Sequence, residues 1–419
     1  MLDIKFIREN KELIKDAARK KHIDFDVEKL IEIDDKRKEE LSFIENMRAK
    51  QNEATKKITG AINDADRKTL ILDMQQLKKE LGSREEKLRL CMDEWRALMV
   101  CVPNIPDMSV PEGETDADNQ EIRKWGSVPE FSFEAKSHID ILLARGEFDL
   151  ERGAKVSGFR GYFLSGSMVK LSFALWQFVL DQISENGYRP LLAPSLIKKE
   201  PFIGTGYLPQ SEEDLYKTQD GEYLSGTAEV ASMGYFMDEV IPKEKLPIKF
   251  VAFSPCFRRE AGSYGKDTKG LMRVHEFFKL EQVVLCEANH DMSVSFHEEI
   301  LKNSETLMQK LELPYRVVIN AGGDLGLGQV KKYDIEAWIP SLNTYRETHS
   351  ASYFHDFQTR RLNIKYRGDD GKIRFAHSLN NTALATPRIL IPFVEIHQME
   401  DGKIFIPKAL RQYIGADAI

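Results

Sequence analysis

Residues 253–282, FSPCFRREAGSYGKDTKGLMRVHEFFKLEQ, place charged side chains where a sheet is predicted. Residues two apart in a strand share a face, so Arg258 and Glu260 are expected to point the same way. The opposite face of the second strand carries Phe278 and Leu280, which we expect in the core. Its charged face is predicted to carry Arg273, His275, Phe277, Lys279 and Glu281.

The connection 261–272 has twelve residues, whereas a hairpin usually needs two to five. A solvated sheet face with cross-strand ion pairs is one interpretation. Phe277 among the charges favours another, since an exposed ring serves mainly as a stacking surface. Arginines bind phosphate and carboxylate in forked geometry, and Glu260 can accept from an exocyclic amine. The pattern indicates a nucleotide site, although the sequence contains neither GxxxxGK[ST] nor GxGxxG.

Length, charge and cysteine usage limit the class of protein. The 419 residues suffice for two or three domains, and the net charge of −7 excludes a globally basic nucleic-acid binder but not a local basic groove. Four scattered cysteines without a CxxC pair indicate neither a disulfide framework nor a Cys-rich zinc site. The charged N-terminus and the short apolar runs lead us to expect a cytoplasmic protein with no signal peptide and no membrane partner.

Residues 1–103 differ in pattern from the rest of the chain. A mostly apolar series alternates by four and three residues, as in the seam of a coiled coil, at Leu70, Met74, Leu77, Leu81, Arg84, Leu88, Cys91, Trp95 and Leu98. TGAINDAD (59–66) is predicted to reverse the chain. We therefore predict an antiparallel helical hairpin over about 27–99, with each helix about 45 Å long. Packing of the same helices in a globular bundle or a dimer seam remains an alternative.

The remainder mixes helical and strand patterns. Residues 104–120 are rich in Pro, Asp, Gly and Asn, which predicts a linker. Within 121–419, helical spacing runs over 166–188, ending at Asn186-Gly187, and over 290–313, whereas 248–253 alternate like a strand. Because the segments do not alternate strictly as βαβ, we predict an α+β fold with an antiparallel sheet.

Five motifs along the chain resemble, in the same order, the motifs of a known family. FRRE…RVHEFFKLE closely resembles motif 2 of the class II aminoacyl-tRNA synthetases, in its seryl form. NGYRPLLAPSLI (186–197) resembles motif 1 with its proline at Pro194, and GTAEV (226–230) resembles the seryl TAE signature. RETHSASYFHDFQTRR (346–361) resembles the metal and ATP segment, and LNNTALATPRIL (379–390) resembles motif 3. The resemblance covers nearly the whole chain and implies a class II catalytic domain flanked by helices, with residues 1–103 as the tRNA-binding arm.

For the nucleotide, the resemblance implies that Arg258 bridges the serine carboxylate and the α-phosphate of ATP. Glu260 is implied to bind the adenine amine, Phe277 to stack on the base, and Val274 to offer its backbone. Arg273 and Arg388 are implied to hold the β- and γ-phosphates. The implied ATP site also includes Arg259, Thr348 and His349, and the implied Mg²⁺ ligands are Glu347 and Ser350.

For the amino acid, the resemblance implies a serine site formed by Thr227, Ala228, Glu229, Arg258, Glu281 and Thr382. A buried carboxylate such as Glu281 accepts from both the ammonium and the hydroxyl of serine, so alanine would leave it unpaired. Capping of a helix by Thr227, or of the motif 3 helix by Thr382, is a further interpretation. Arg258 and Arg388 are the implied catalytic residues.

The implied function is ATP-dependent activation of serine and its transfer to tRNA(Ser); whether tRNA(Sec) is a second acceptor stays open. The family uses the arm for the long variable arm of this tRNA, and Lys266 and Lys269 are expected near the acceptor end. Motif 1 implies a homodimer. The arm residues expected to contact phosphate are Lys36, Arg37, Arg48, Lys50, Lys56 and Lys57.

Two features depart from the family pattern, and two other functions are alternatives. Pro392 would interrupt a motif 3 helix that starts near Ala383, so we expect a kink or a later start, whereas Pro387 fits a first turn. The imidazole of His349 is a type of group that binds zinc. No Cys lies nearby and no other His lies at a matching spacing, so no zinc is expected. A paralogue that loads a carrier protein would lack or reshape the arm. A non-enzymatic scaffold would not need the full set of charged residues.

Overall fold

The computed structural model describes residues 2–60, 64–263, 265, 267 and 269–419. It divides into two compact units. One comprises residues 3–19 and 24–103, and the other comprises chiefly Asn104–Ile419 together with Lys20–Ile23. No helix in these described ranges is both long and apolar enough to cross a membrane.

The first unit is helical. Its elements are α1 (Ile4–Glu9), α2 (Lys11–Lys20), α3 (Val27–Gly60) and α4 (Asp64–Met99). Ile44, Met47 and Leu81 form a small buried cluster between the two long helices. The Sγ of Cys91 lies 3.4 Å from the carbonyl oxygen of Ile33.

The two long helices run antiparallel. Lys29 Nζ lies 3.6 Å from Glu94 Oε1, so low numbers in α3 meet high numbers in α4. Arg48 Nη2 lies 2.7 Å from Glu85 Oε1 nearer the far end. The predicted helical hairpin is therefore confirmed. Its predicted turn, TGAINDAD, includes residues 61–63, which lie outside the described residues.

The second unit is built on an eight-stranded sheet in the order β1-β11-β12-β13-β16-β10-β9-β4, antiparallel except where β4 joins β9. This confirms the predicted α+β fold. The strands are β1 (Gln120–Trp125), β2 (Phe148–Asp149), β3 (Phe163–Leu164), β4 (Arg189–Leu192), β5 (Leu196–Ile197), β6 (Tyr216–Lys217), β7 (Tyr223–Leu224), β8 (Val240–Pro242), β9 (Ile248–Phe257), β10 (Glu276–Cys286), β11 (Tyr315–Ile319), β12 (Lys331–Ile339), β13 (Thr344–His355), β14 (Lys365–Arg367), β15 (Ile373–Phe375) and β16 (His377–Thr386).

The second unit also contains helices. They are α5 (His138–Ala144), α6 (Leu150–Ser157), α7 (Gly166–Glu185), α8 (Lys199–Thr205), α9 (Ala228–Gly234), α10 (His290–Lys310), α11 (Phe357–Arg361), α12 (Leu390–Ile396) and α13 (Arg411–Ile414). The long helices α7 and α10 fall where the periodicity predicted them, and the predicted Asn186 is the C-cap of α7. Leu171 and Phe178 of α7 lie in the main core with Leu280 and Val284 of β10. This core fixes the strands whose other face carries the polar residues described below.

The motif 2 strands are shorter than predicted. Because β9 ends at Phe257 and β10 begins at Glu276, the connection spans 258–275, and Arg258, Glu260 and Arg273 lie beyond the strand ends. Glu260 has a φ of 56°, in the left-handed region that does not continue a strand. The prediction that these residues share a strand face is therefore wrong. Lys266 lies outside the described residues.

The motif 3 proline is accommodated by a later helix start. Strand β16 continues to Thr386, and α12 begins only at Leu390. Pro392 is thus the third helical residue, in the first turn, where a backbone N–H has no intrahelical acceptor. Thr382 lies within β16, so the interpretation that it caps this helix is wrong.

The segment predicted as a linker is partly packed. Asn104 is 4% exposed. Its Nδ2 donates to the carbonyl oxygens of Gly328 (3.0 Å) and Phe354 (2.8 Å). Residues at the start of this segment are therefore fixed to the sheet unit, and the composition that predicted a linker gave no sign of these contacts.

Candidate functional site

Two adjoining cavities open on the polar face of β10, β13 and β16. The first, called the arginine cavity, is lined by Arg258, Glu260, Met272, Arg273, Val274, Phe277, Lys279, Glu347, Thr348, Thr382 and Arg388, among others. The second, called the carboxylate cavity, has a volume of about 330 Å³, and its lining includes Glu229, Arg258, Lys279, Glu281, Glu347, Ser350 and Thr382. Arg258, Lys279, Glu347 and Thr382 line both. The cavities therefore meet at a mixed set of charges.

Three guanidinium groups converge on the arginine cavity. That of Arg258 lies 5.3 Å from the centre of the Phe277 ring. Arg273 Nη1 lies 3.1 Å from Glu260 Oε2. Arg388 donates from Nε to the Met272 carbonyl oxygen (3.2 Å) and from Nη1 to that of Glu347 (3.2 Å). Forked cations held in this way suit an anion with several oxygens, such as a polyphosphate.

The pKa of Arg388 is lowered from its ordinary value. Burial is the main cause, and the positive charges of Arg258 and Arg273 add to it. Glu347 opposes the shift, with Oε2 3.8 Å from Arg388 Nη1. Arginine stays protonated in proteins, so Arg388 is a cation with two others nearby, and this arrangement favours an incoming anion.

A β-bulge brings Glu347 and Ser350 to one side of β13. Glu336 pairs with Glu347 and Ile335 pairs with His349, so Thr348 is the extra residue. Without the bulge, residues three apart would face opposite sides of the sheet. Here both side chains line the carboxylate cavity, while Thr348 and His349 are buried. The sequence spacing alone would have separated these two oxygen donors.

The carboxylate cavity contains two buried acidic residues. Glu229 accepts from Gln358 Nε2 (2.6 Å) and from the Tyr207 hydroxyl (3.0 Å). Burial, and next the charge of Glu281, raise the pKa of Glu229 to about 7. Glu281 is 2% exposed and forms an ion pair with Lys279, with 2.5 Å between Oε2 and Nζ. A cavity with these acceptors suits a small polar cation.

Two of the predicted serine residues begin helix α9. Thr227 is its N-cap, and the Oγ1 of Thr227 accepts from the backbone N–H of Glu229 at 3.2 Å. Ala228 is fully buried. The cap fixes the start of the helix, and so holds Glu229 at the cavity. Of the two interpretations of Thr227, the structure therefore contains the helix cap, and contact with a ligand remains a prediction.

Two predicted ATP residues do not line either cavity with their side chains. Arg259 is exposed and donates from Nη1 to the carbonyl oxygen of Glu213 at 3.0 Å. His349 is 1% exposed, with Nε2 3.1 Å from the carbonyl oxygen of Ala383. Burial lowers the pKa of His349 to about 4, so the imidazole is neutral at pH 7. The side chain of His349 thus braces β13 against β16.

Sequence reasoning assigned no role to three residues around the acidic pair. Lys279 was expected on the charged face, but only the structure shows that it pairs with Glu281. Glu229 accepts hydrogen bonds from Tyr207, which lies between α8 and β6, and from Gln358 in α11. Both residues are far from Glu229 in the sequence. Alternation along β10 was a signal for Lys279, whereas no local pattern distinguishes the other two.

The donor set fits a hard cation at Glu347 and Ser350. A carboxylate and a hydroxyl face the same cavity, and Mg²⁺ prefers oxygen ligands, usually few from the protein and the rest from phosphate and water. Groups of three or more His, Cys, Asp or Glu side chains arranged for a metal ion do not occur in the described part of the chain.

Comparison with known proteins covers both units. The family model of the seryl-tRNA synthetase N-terminal domain matches residues 1–106. That of the tRNA synthetase class II core domain (G, H, P, S and T) matches residues 215–397. The serine–tRNA ligase of Deinococcus radiodurans is 43% identical over 99% of this chain and 98% of the relative, and that of Rubrobacter xylanophilus is 38% identical over 100% and 99%.

Solved structures agree. Seryl-tRNA synthetase from Pyrococcus horikoshii, complexed with ATP, superimposes with a TM-score of 0.91 at 37% identity, covering 100% of this chain and 99% of that one. The cytoplasmic serine–tRNA ligase from Naegleria fowleri, in complex with AMP, gives 0.87 at 32% identity and covers 100% and 98%. With both domain models matched and full-length relatives well above 30% identity, the chain belongs to the seryl-tRNA synthetase family.

Proposed function

We propose that this protein activates serine with ATP and transfers it to tRNA(Ser), as a serine–tRNA ligase. The observation that carries the proposal is the meeting of the arginine cavity and the carboxylate cavity at Arg258. One cavity suits a polyphosphate and the other a small ammonium compound. A guanidinium between them can bind the two anionic groups that must react.

In the first step, a carboxylate oxygen of serine attacks the α-phosphorus of ATP. The bond from that phosphorus to the bridging oxygen breaks, and pyrophosphate leaves with its electron pair. In the second step, a hydroxyl of the terminal tRNA adenosine attacks the seryl carbonyl carbon and AMP leaves. Charge neutralisation and alignment dominate such reactions, with little acid–base work in the first step. This explains a site made chiefly of fixed cations.

For the nucleotide, we assign Arg258 to the α-phosphate and the serine carboxylate, and Arg273 and Arg388 to the outer phosphates. Glu260 and Phe277 are assigned to the adenine amine and ring, with the backbone of Val274 nearby. The common cavity supports this set. Arg259 is assigned to the same loop, although its side chain contacts Glu213.

For the metal, Glu347 and Ser350 are the residues that would hold Mg²⁺ bound with ATP. The cation supplies additional positive charge at the phosphates. The carbonyl oxygen of Glu347 accepts from Arg388, which fixes this part of β13 beside the proposed phosphate site. Thr348 lines the same cavity, and His349 supports the strand from its buried face.

For serine, we assign Glu281, Glu229 and Thr382 to the ammonium and hydroxyl groups. Their common burial supports the assignment, because an unpaired acceptor in a buried site strongly disfavours alanine, which lacks the hydroxyl. Thr227 and Ala228 position Glu229 at the start of α9. Threonine would be excluded by the size of the cavity rather than by polarity.

For tRNA, we assign the first unit to the variable arm. Several candidate cations are already engaged within the helices, since Lys36 pairs with Glu32, Lys57 with Glu53, and Arg48 with Glu85. Arg37 binds Asp34 and stacks on Trp95, 5.0 Å from the ring centre, so it supports the helices. The exposed Lys50 and Lys56 are therefore the preferred phosphate contacts, and Lys269 is assigned to the acceptor end.

A homodimer is also proposed, through the sheet edge that motif 1 forms. Strand β4 is the last strand of the sheet, and its Leu192 is 78% exposed. On α7, Phe173 is 63% exposed beside an apolar cavity lined by Val169, Trp176 and Leu180. An apolar patch at a sheet edge favours burial by a second copy. The four cysteines are free thiols, as expected in the cytoplasm, where we place the reaction.

The proposed function is tested by ATP–pyrophosphate exchange with each of the twenty amino acids. Serine is expected to support exchange far more strongly than the others. Glu281→Ala should abolish serine-dependent exchange, while an exposed control, Glu244→Gln, should leave it unchanged. Exchange that is strongest with another amino acid would contradict the proposal, and normal exchange in Glu281→Ala would contradict the site assignment.

A further inference from the structure

Lys279 is a buried cation that none of the assignments above uses. It is 6% exposed, and its Nζ lies 2.5 Å from Oε2 of Glu281, which is 2% exposed. It lines both the arginine cavity and the carboxylate cavity. Buried lysines are rare unless they are paired. A paired lysine where the two cavities meet is therefore a candidate for a function in the site.

The strand geometry explains why the two side chains meet. Lys279 and Glu281 are two residues apart on β10 and therefore share its polar face. The neighbouring strands place small residues directly opposite, with Ser254 and Ala385 beside Lys279, and Ala252 beside Glu281. The lysine stem is thus not displaced by bulky neighbours, and the ammonium group reaches the carboxylate along its own strand.

The charges around the pair indicate what Lys279 does. Glu229 and Glu281 are both buried at one cavity. Burial, and next the negative charge of Glu281, raise the pKa of Glu229, whereas the positive charge of Lys279 lowers it. Two buried carboxylates near each other tend to share one proton unless a cation balances them. Lys279 and Arg258 are the cations that line the carboxylate cavity, and Arg258 also lines the arginine cavity.

We propose that Lys279 is a positioning residue that determines specificity for serine, by holding the Glu281 carboxylate in place as an acceptor through one of its two oxygens. The inference rests on the proposed function and deepens it. The ion pair uses Oε2 of Glu281, which leaves the other carboxylate oxygen to accept from the serine hydroxyl and ammonium. Loss of Lys279 therefore weakens serine binding and reduces the preference for serine over alanine.

The test is serine-dependent ATP–pyrophosphate exchange by Lys279→Met and Lys279→Arg, each compared with the unmodified chain from pH 6.5 to 9. For Lys279→Met we expect the KM for serine to rise at least tenfold and the KM for ATP to change less than twofold. Loss of the positive charge of Lys279 should raise the pKa of Glu229, so the serine defect should shrink at higher pH, where Glu229 is ionised in the variant as well. Lys279→Arg should restore most of the affinity, and Lys279→Gln replaces Lys279→Met if the latter does not fold.

A double variant shows whether Lys279 acts through Glu281. In a Glu281→Gln background, Lys279→Met should have little further effect on the serine KM, because the group it positions has lost its charge. Equal rises in the KM values for serine and ATP would overturn the proposal, as would a serine defect that is constant with pH. The unmodified chain distinguishes the two proposals. If it shows no serine-dependent exchange, the proposed function is refuted. If it exchanges normally and the defect of the variant does not depend on pH, only the role of Lys279 is refuted.

Discussion

His138 and Glu395 join α5 to α12 through a buried hydrogen bond of 2.7 Å between Nδ1 and Oε1. The same carboxylate accepts from the backbone N–H of His138 and from both the N–H and the hydroxyl of Ser341. With its hydrogen on Nδ1, the imidazole presents Nε2 as an acceptor to the N–H of Leu271, 3.4 Å away. The end of the motif 2 connection is therefore anchored to the motif 3 helix.

Replacing this carboxylate tests the anchor. Burial alone would raise the pKa of Glu395, but the donors from His138 and Ser341 hold it below its ordinary value of 4.5. In Glu395→Gln, the amide NH₂ faces donors, which we expect to lower the free energy of unfolding by about 1–3 kcal/mol at pH 7. Urea titration of both proteins measures this difference.

The dependence on pH gives the control for the same pair. Because the folded pKa is depressed, the stabilisation by Glu395 is complete above pH 4.5 and is lost as the pH falls through the folded pKa. The unfolding free energies of the two proteins should therefore converge in acid. A difference that stays constant from pH 7 down to pH 3 would show that Glu395 contributes shape rather than charge.

The ionisation of Glu229 predicts a pH-dependent affinity for serine. Its pKa is raised to about 7, so the fraction ionised rises about tenfold between pH 6 and pH 8. The KM for serine should fall over this range, because the ionised carboxylate attracts the serine ammonium. Glu229→Gln should give a higher KM that varies little with pH. A profile in this variant identical to that of the unmodified chain would exclude Glu229 as the group that titrates.

Local patterns predicted the helices and the two long motif 2 strands because burial repeats along them. The spacing of α7 and α10 follows one apolar face, and the seam of α4 follows contacts with α3. The strand ends were predicted less well. Glu260 has a positive φ and its side chain forms an ion pair with Arg273 from the far end of the connection, and no local sequence signal encodes either feature.

In the candidate site, too, local patterns predicted some features, whereas others depend on contacts between distant segments. Phe277, Lys279 and Glu281 could be placed on one face from alternation alone, and all three line the cavities. The bulge at Thr348 and the support of Glu229 by Gln358 depend on pairing between distant segments. The resemblance supplied the identity of the site residues, whereas the interactions that hold them required the folded chain.

His397 predicts a loss of stability in mild acid. Its Nε2 lies 2.9 Å from the carbonyl oxygen of Leu311, and burial lowers the pKa from 6.5 to about 4. Between pH 6.5 and pH 4, the unfolded chain therefore binds one more proton than the folded chain. Through His397 alone, the free energy of unfolding should fall by about 3 kcal/mol as the pH is lowered from 6.5 to 4. His397→Gln should flatten this part of the curve, unlike the exposed control His22→Gln. If the stability curve of His397→Gln ran parallel to those of His22→Gln and the unmodified chain, His397 would not be the group that titrates.

Asp267 forms ion pairs with two arginines, of which Arg273 belongs to the proposed phosphate site. Its Oδ2 lies 3.2 Å from Arg273 Nε and 2.6 Å from Arg346 Nη2. Phosphate oxygens must replace this carboxylate if they bind the same guanidinium groups. Asp267→Asn should therefore lower the KM for ATP by about two- to fivefold, while the KM for serine stays unchanged. The exposed control Asp370→Asn should affect neither, and a raised KM for ATP in Asp267→Asn would show that Asp267 orders the site instead.

Shortening the helical hairpin should separate the two reaction steps. Ile44 and Leu81 lie in one buried cluster, so a short Gly-Ser turn can join them after removal of residues 45–80. The sheet unit has its own core, and serine-dependent pyrophosphate exchange should stay within about twofold of normal. Charging of tRNA(Ser) should fall at least about a hundredfold, because the phosphate contacts proposed for Lys50 and Lys56 are lost. The full-length variant Lys50→Ala/Lys56→Ala should show a smaller charging defect with a reduced dependence on salt. Charging that survives the excision at its normal rate would assign tRNA recognition to the sheet unit alone.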